Sequence, residues 1–123
     1  MTNAPETPPR IHPAPLRLRV EFAGVVIADA DRALRVVEPD GATTYYAPAD
    51  DVKRQFLAPM RHSTRCPWRG TARYFTLSVR GRSSEAAAWS YAQPGAGYEE
   101  LAGRVAFHPD RVDGCSVTET CAS

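Results

Sequence analysis

Leu16, Leu18, Val20 and Phe22 alternate with Arg17, Arg19 and Glu21. A period of two belongs to an extended chain, whose successive side chains point to opposite faces. The run therefore specifies a strand with one buried face and one wet face. An α-helix would scatter the same residues around its axis. Phe75, Leu77 and Val79, alternating with Tyr74, Thr76 and Ser78, repeat the pattern. It predicts an inward face for Phe75, Leu77 and Val79, with Thr76 and Ser78 opposite.

Short β-prone runs fill much of the interval between and beyond these strands. Val25-Val26-Ile27-Ala28 follows the turn-permissive Ala23-Gly24, and Leu34-Arg35-Val36-Val37 reads as a third strand. Pro39-Asp40-Gly41 is a turn signal that returns the chain into Thr43-Thr44-Tyr45-Tyr46. Arg80-Gly81-Arg82 turns the chain again, into a strand over Ala86 to Tyr91 that closes a hairpin with Phe75–Val79. Val105-Ala106-Phe107 supplies a last strand. Two segments break the pattern. Asp50 and Asp51 after Pro48, with Val52, Phe56 and Leu57 at helical spacing, predict a short helix ended by Pro59. Met60 to Gly70 reads as an irregular loop, and Tyr98 to Ala102 as one further helical turn. The expected fold class is mainly β: a compact antiparallel domain with one or two short helices.

A chain of 123 residues suits one domain. Five prolines between residues 5 and 15, with little to bury, predict a disordered or extended tail over residues 1–15. The domain is expected over 16–114, with a frayed end over 115–123. Net charge is +1, which gives no global attraction to nucleic acid or acidic lipid. No apolar run reaches the roughly 18 residues a membrane span needs. The N-terminal segment lacks the apolar centre of a secretory signal. Cys66, Cys115 and Cys121 form no disulfide framework, which suits a reducing cytoplasm.

Three segments together resemble one known family. They are Tyr45 to Val52; Thr64 to Tyr74, containing Cys66-Pro67-Trp68-Arg69-Gly70-Thr71-Ala72; and Ala88-Trp89-Ser90-Tyr91 with Pro94, followed by Gly103-Arg104-Val105-Ala106-Phe107. In order and spacing they are similar to domain-of-unknown-function family 427, also labelled a nucleotidyltransferase-type domain. The resemblance spans roughly residues 16–114. It implies a β-tent, in which two antiparallel sheets lean together. Relatives at that fold level often carry paired Cys-x-x-Cys zinc knuckles. This sequence has no Cys-x-x-Cys, so zinc does not carry over, and no cofactor or metal is expected. The Gly-Ser pair and spaced carboxylates that would hold a metal against a triphosphate are also missing, so the nucleotidyltransferase label is not adopted.

Three features offer chemistry. Cys66 sits among Arg61, Arg65 and Arg69, and nearby positive charge favours the nucleophilic thiolate. With His62 four residues away it is a candidate catalytic pair; the plainer reading is a small buried or pocket-lining side chain. Second, no acid occurs between Asp51 and Glu85, while Arg61, Arg65, Arg69 and Arg73 recur every fourth residue. They suit an anionic ligand if they converge, and otherwise form a solvated face. Third, Trp68, Tyr74, Trp89, Tyr91 and Phe107 serve either as core or as pocket walls. A metal site from His62, Cys66, His108 and Cys115 matches no compact ligand spacing, and His12 lies in the tail.

The expected site is a small-molecule pocket lined by Cys66, Trp68, Arg69, Gly70, Thr71, Trp89 and Tyr91, taking an anionic or planar ligand. The alternatives are an enzyme of unknown reaction using Cys66 and a protein-interaction module docking an acidic partner on its basic face. Nucleic acid and membrane are not expected partners.

Overall fold

The computed structural model describes residues 8–119; the expectations for residues 1–7 and 120–123 lie outside the described residues. Eight strands account for most of the chain: β1 Arg10–Phe22, β2 Val25–Val37, β3 Thr43–Ala47, β4 Leu57–Cys66, β5 Gly70–Val79, β6 Arg82–Tyr91, β7 Val105–Phe107 and β8 Gly114–Glu119. They form one sheet in the order β4-β5-β6-β7-β3-β2-β1-β8, with every neighbouring pair antiparallel. The two leaning halves implied by the family resemblance are thus parts of a single hydrogen-bonded sheet. The sheet folds over on itself. Leu18 and Val20 of β1, Ile27 of β2, Leu77 and Val79 of β5 and Val105 and Phe107 of β7 join one buried cluster, although β1 and β5 lie far apart in the strand order.

The opposite face carries a second cluster, and the register explains its membership. Leu34, Tyr46, Ala106, Trp89 and Tyr74 stand directly opposite one another across β2, β3, β7, β6 and β5. Directly opposed residues share a face. The adjacent row, Ala47, Val105, Ser90 and Arg73, therefore points to the other side.

The alternation in β5 is realised: Leu77 and Val79 are buried with Phe75 packed against the same cluster, while Ser78 is exposed and Thr76 half-buried. Other expectations shift. The helix over residues 48–57 is replaced by two 3-10 turns, Ala49–Asp51 and Arg54–Phe56. Val52 between them bridges to Ala28 and is buried, and the Lys53 N–H donates to the Ile27 carbonyl at 2.8 Å. Val52 and Phe56 share helical spacing, yet both reach the main cluster from a chain pinned to β2. So short a segment lacks the length to repay helix nucleation by itself.

Met60 to Cys66 is the edge strand β4 and not a loop. Its side chains are exposed over most of its length, so no apolar alternation betrays it. β1 starts at Arg10, inside the stretch expected as tail, because Arg10 to Pro13 pair with Leu34 to Val37. β8 pairs only with Leu16 to Glu21, so the proline-bearing start of β1 is an edge, where a missing N–H is tolerated. Residues 115–119, expected as part of a frayed end, belong to β8.

The hairpins β1–β2 and β5–β6 close on Ala23-Gly24 and Arg80-Gly81, with φ of 52° and 78° in the first and 52° and 82° in the second. Positive φ at both central residues is the type I′ geometry that matches strand twist. Glycine adopts it freely; Ala23 and Arg80 do not. Arg80→Asn should therefore stabilise the domain by about 0.5–1 kcal/mol, because asparagine enters this region more readily. Leu77→Ala, which empties a fully buried site, should cost about 2–5 kcal/mol. Urea denaturation monitored by tryptophan fluorescence reads both, with unchanged slopes expected for the Arg80 variant.

Candidate ligand-binding cleft

Cys66 pairs with Gly70 across the β4–β5 hairpin, leaving Pro67-Trp68-Arg69 as its tip. The tip packs backbone-to-backbone on the segment after β6. A Cβ on Gly95 would lie 2.4 Å from the Trp68 carbonyl oxygen, and one on Gly70 would lie 2.9 Å from that of Gln93. The Gly95 N–H donates to the Arg69 carbonyl at 3.2 Å. Gly70 also needs its φ of 98°. Glycine is required at both positions for the approach, and the approach sets the shape of what lies between.

Arg69 turns inward from the tip. Its Nε donates to the Tyr91 hydroxyl at 3.1 Å, one terminal nitrogen donates to Glu38 Oε2, and the guanidinium lies 5.8 Å from the Tyr91 ring centroid. The side chain is 16% exposed. Burial by itself would lower the Arg69 pKa; the Tyr91 hydroxyl, with Tyr46 and Cys66 nearby, outweighs it and holds the pKa above its ordinary value. Burial likewise pushes up the pKa of Tyr46, whose hydroxyl accepts the Trp89 indole N–H at 3.3 Å. Tyr46 and Trp89 meet edge to face, with centroids 6.5 Å apart.

Beside the tip lies a cleft of about 600 Å³. Arg65, Thr71 and Arg73 form one side of it; Gln93 and Gly95 contribute across the tip contact, and Cys66 and Gly70 border it. The hairpin register brings the two arginines together. Arg65 is opposite Thr71 and Ser63 opposite Arg73, so with a period of two all four side chains leave one face. The ion pairs among the described residues are Arg17–Asp29, Arg19–Glu21, Arg69–Glu38 and Arg82–Asp113. Neither Arg65 nor Arg73 is among them, and no carboxylate of the described residues lines the cleft.

Of the residues expected to form a site, Cys66, Gly70 and Thr71 border this cleft. Trp68 faces away, lining a separate groove of about 470 Å³ with Pro9, Ile11 and Tyr98. Arg69 is engaged internally. Trp89 and Tyr91 lie on the sheet face opposite Arg73, where they pack with Tyr46. Trp89 also borders a smaller cavity of about 180 Å³ with Tyr45, Phe107 and Cys115. The aromatic wall expected of the pocket is therefore not beside the arginines. Gln93 and Gly95 carry no sequence signal of their own; their place follows from the Gly95 contact with Trp68.

Cys66 Sγ accepts the Arg69 N–H at 3.4 Å. His62 lies on the same strand, and four residues of strand span roughly 13 Å, so the two do not form a nucleophile–base pair. The His62 ring instead lies 4.9 Å from that of Tyr74. His108 accepts the Asp110 N–H at a 3-10 turn, and burial pushes the Cys115 thiol pKa up in the smaller cavity. The four residues weighed as metal ligands are dispersed. Among the described residues no group of three or more His, Cys, Asp or Glu gathers, and no helix is long and apolar enough to cross a membrane.

Two substitutions test the support of the cleft. Gly95→Ala forces the tip and the following segment apart and should cost about 1–3 kcal/mol, as backbone crowding does elsewhere. Glu38→Ala leaves the half-buried guanidinium without its carboxylate and should cost about 1–3 kcal/mol. Denaturation midpoints within error of the wild type for both would contradict this account.

No curated protein matches the chain. The model of a family described as a domain of unknown function, DUF427, matches residues 10–118. The match takes in β1 to β7 and nearly all of β8, cleft included, and the chain belongs to the DUF427 family.

Proposed function

We propose that this domain is a small-molecule binding module whose ligand is an anion held in the cleft between Arg65 and Arg73. The observation that carries the reading is that Arg65 and Arg73 share one face of a hairpin whose tip is fixed and line one cleft, neither of them paired with an acid among the described residues. Guanidinium is planar, permanently charged and suited to bidentate contact with oxyanions. A volume of about 600 Å³ falls within the roughly 300–1,000 Å³ of small-molecule sites. The ligand is anionic and not a flat aromatic, since Trp68, Trp89 and Tyr91 lie elsewhere. Binding is preferred to catalysis because the described lining supplies one thiol and no neighbouring base. A cytoplasmic setting belongs to the same reading, as Cys66 and Cys115 are free thiols.

The test is a thermal-shift screen of small carboxylates, sulfates and phosphates. An anion at ten times its Kd should stabilise the wild type by about 1.4 kcal/mol. Arg65→Ala and Arg73→Ala should abolish the shift, whereas Arg61→Ala, with the same charge change outside the cleft, should keep it. No hit for any anion, or hits that persist in the Arg65 and Arg73 variants, would refute the reading.

A further inference from the structure

Resting on that reading, the geometry points to the class of anion: a phosphate monoester of a small polar molecule. Charge is the first argument. Among the described residues the lining carries two guanidinium groups and no carboxylate, so a ligand that balances it brings close to two negative charges. A phosphate monoester brings about −1.5 to −2 at neutral pH, and a single carboxylate or a phosphate diester brings one. Shape is the second. Arg65 and Arg73 are diagonal neighbours across the β4–β5 ladder, a relation that places Cβ atoms roughly 7–8 Å apart. Two side chains of that reach close on a single tetrahedral group from two sides, each fork taking a pair of oxygens.

The rest of the lining describes the ester body. The Thr71 hydroxyl and the Gln93 amide are exposed polar groups at the cleft, and the apolar side chains beside them, Pro67 and Ala92, are small. Among the described residues no aromatic ring lines it, and guanidinium groups engaged with the phosphate leave no ring to sandwich a base. A hydroxylated body fits better, with Thr71 and Gln93 exchanging hydrogen bonds with it. Among the described residues no carboxylate at the cleft stands by to hold a metal against a polyphosphate chain. The cleft therefore favours one terminal phosphate on a compact polar molecule.

Titration calorimetry on the full chain tests this with five probes: glycerol 3-phosphate, dimethyl phosphate, succinate, acetate and a short phosphoserine peptide. Glycerol 3-phosphate should bind at least about tenfold more tightly than dimethyl phosphate and acetate, since one charge-assisted contact is worth that much. Arg73→Ala should weaken it by about tenfold or more, and Arg73→Lys, which keeps the charge and loses the fork, should fall between. Arg61→Ala should leave it unchanged. Succinate binding as well as glycerol 3-phosphate would overturn the phosphate assignment while leaving an anion site. Tighter binding of the peptide would overturn the small-molecule assignment by moving the phosphate onto a protein. If no probe binds, yet another anion from the broader screen does, the phosphate monoester is wrong and the anion reading stands. If no anion binds at all, both fall.

Discussion

The inward turn of Arg69 onto Glu38 and Tyr91 is the contact on which the cleft depends. It joins the β4–β5 tip to the segment after β2 and to the end of β6, which are remote in sequence. A half-buried guanidinium carries a desolvation cost, and the carboxylate of Glu38 and the hydroxyl of Tyr91 offset it. Tyr91 is held in turn by the cluster containing Tyr46 and Trp89. With the tip anchored from below, Gly70 and Gly95 let the neighbouring backbones close to contact distance. Arg65 and Arg73 then project from a fixed support, which under the proposed reading lowers the loop entropy lost when an anion binds.

A second latch joins the far end of the folded sheet. The Arg82 guanidinium, at the start of β6, forms two hydrogen bonds with Asp113 just before β8 and lies 4.6 Å from the Phe22 ring centroid. Asp113 also accepts the Ala23 N–H at 2.7 Å. The Arg82 contact, followed by the Ala23 N–H, holds the Asp113 carboxyl below its ordinary pKa. These groups are exposed, so their role is to register the two type I′ hairpin ends more than to stabilise the core. The core does the rest: β1, β2, β5 and β6 all contribute to the main buried cluster.

The sequence is most legible where one strand face is buried and the other wet. Leu16 to Phe22 and Phe75 to Val79 alternate clearly, and Ala23-Gly24 and Arg80-Gly81 announce their turns. It is least legible in β4, which is exposed on both faces and shows no alternation, and in the start of β1, where prolines suggest a tail but sit on an edge. The helical spacing of Val52 and Phe56 misleads because two non-helical turns deliver them to the same core. In the cleft, Cys66, Gly70 and Thr71 follow from the Pro67–Gly70 signal. The recurrence of Arg61, Arg65, Arg69 and Arg73 holds the other half of the answer, but only pairing separates its members. Arg69 is claimed by Glu38, Arg61 lies outside, and Arg65 meets Arg73 through the hairpin register. Trp89 and Tyr91 fall outside this cleft by the same logic, since a one-residue offset from Ser90 puts them on the other face.

Residue-resolved NMR during titration with inorganic phosphate tests the central claim most directly. The account predicts amide shifts confined to Cys66, Gly70, Thr71, Gln93 and Gly95, with saturable changes at the Arg65 and Arg73 Nε–H groups and a still Trp89 indole. Shifts centred on Trp68 and Tyr98, or spread evenly over every exposed arginine, would contradict it.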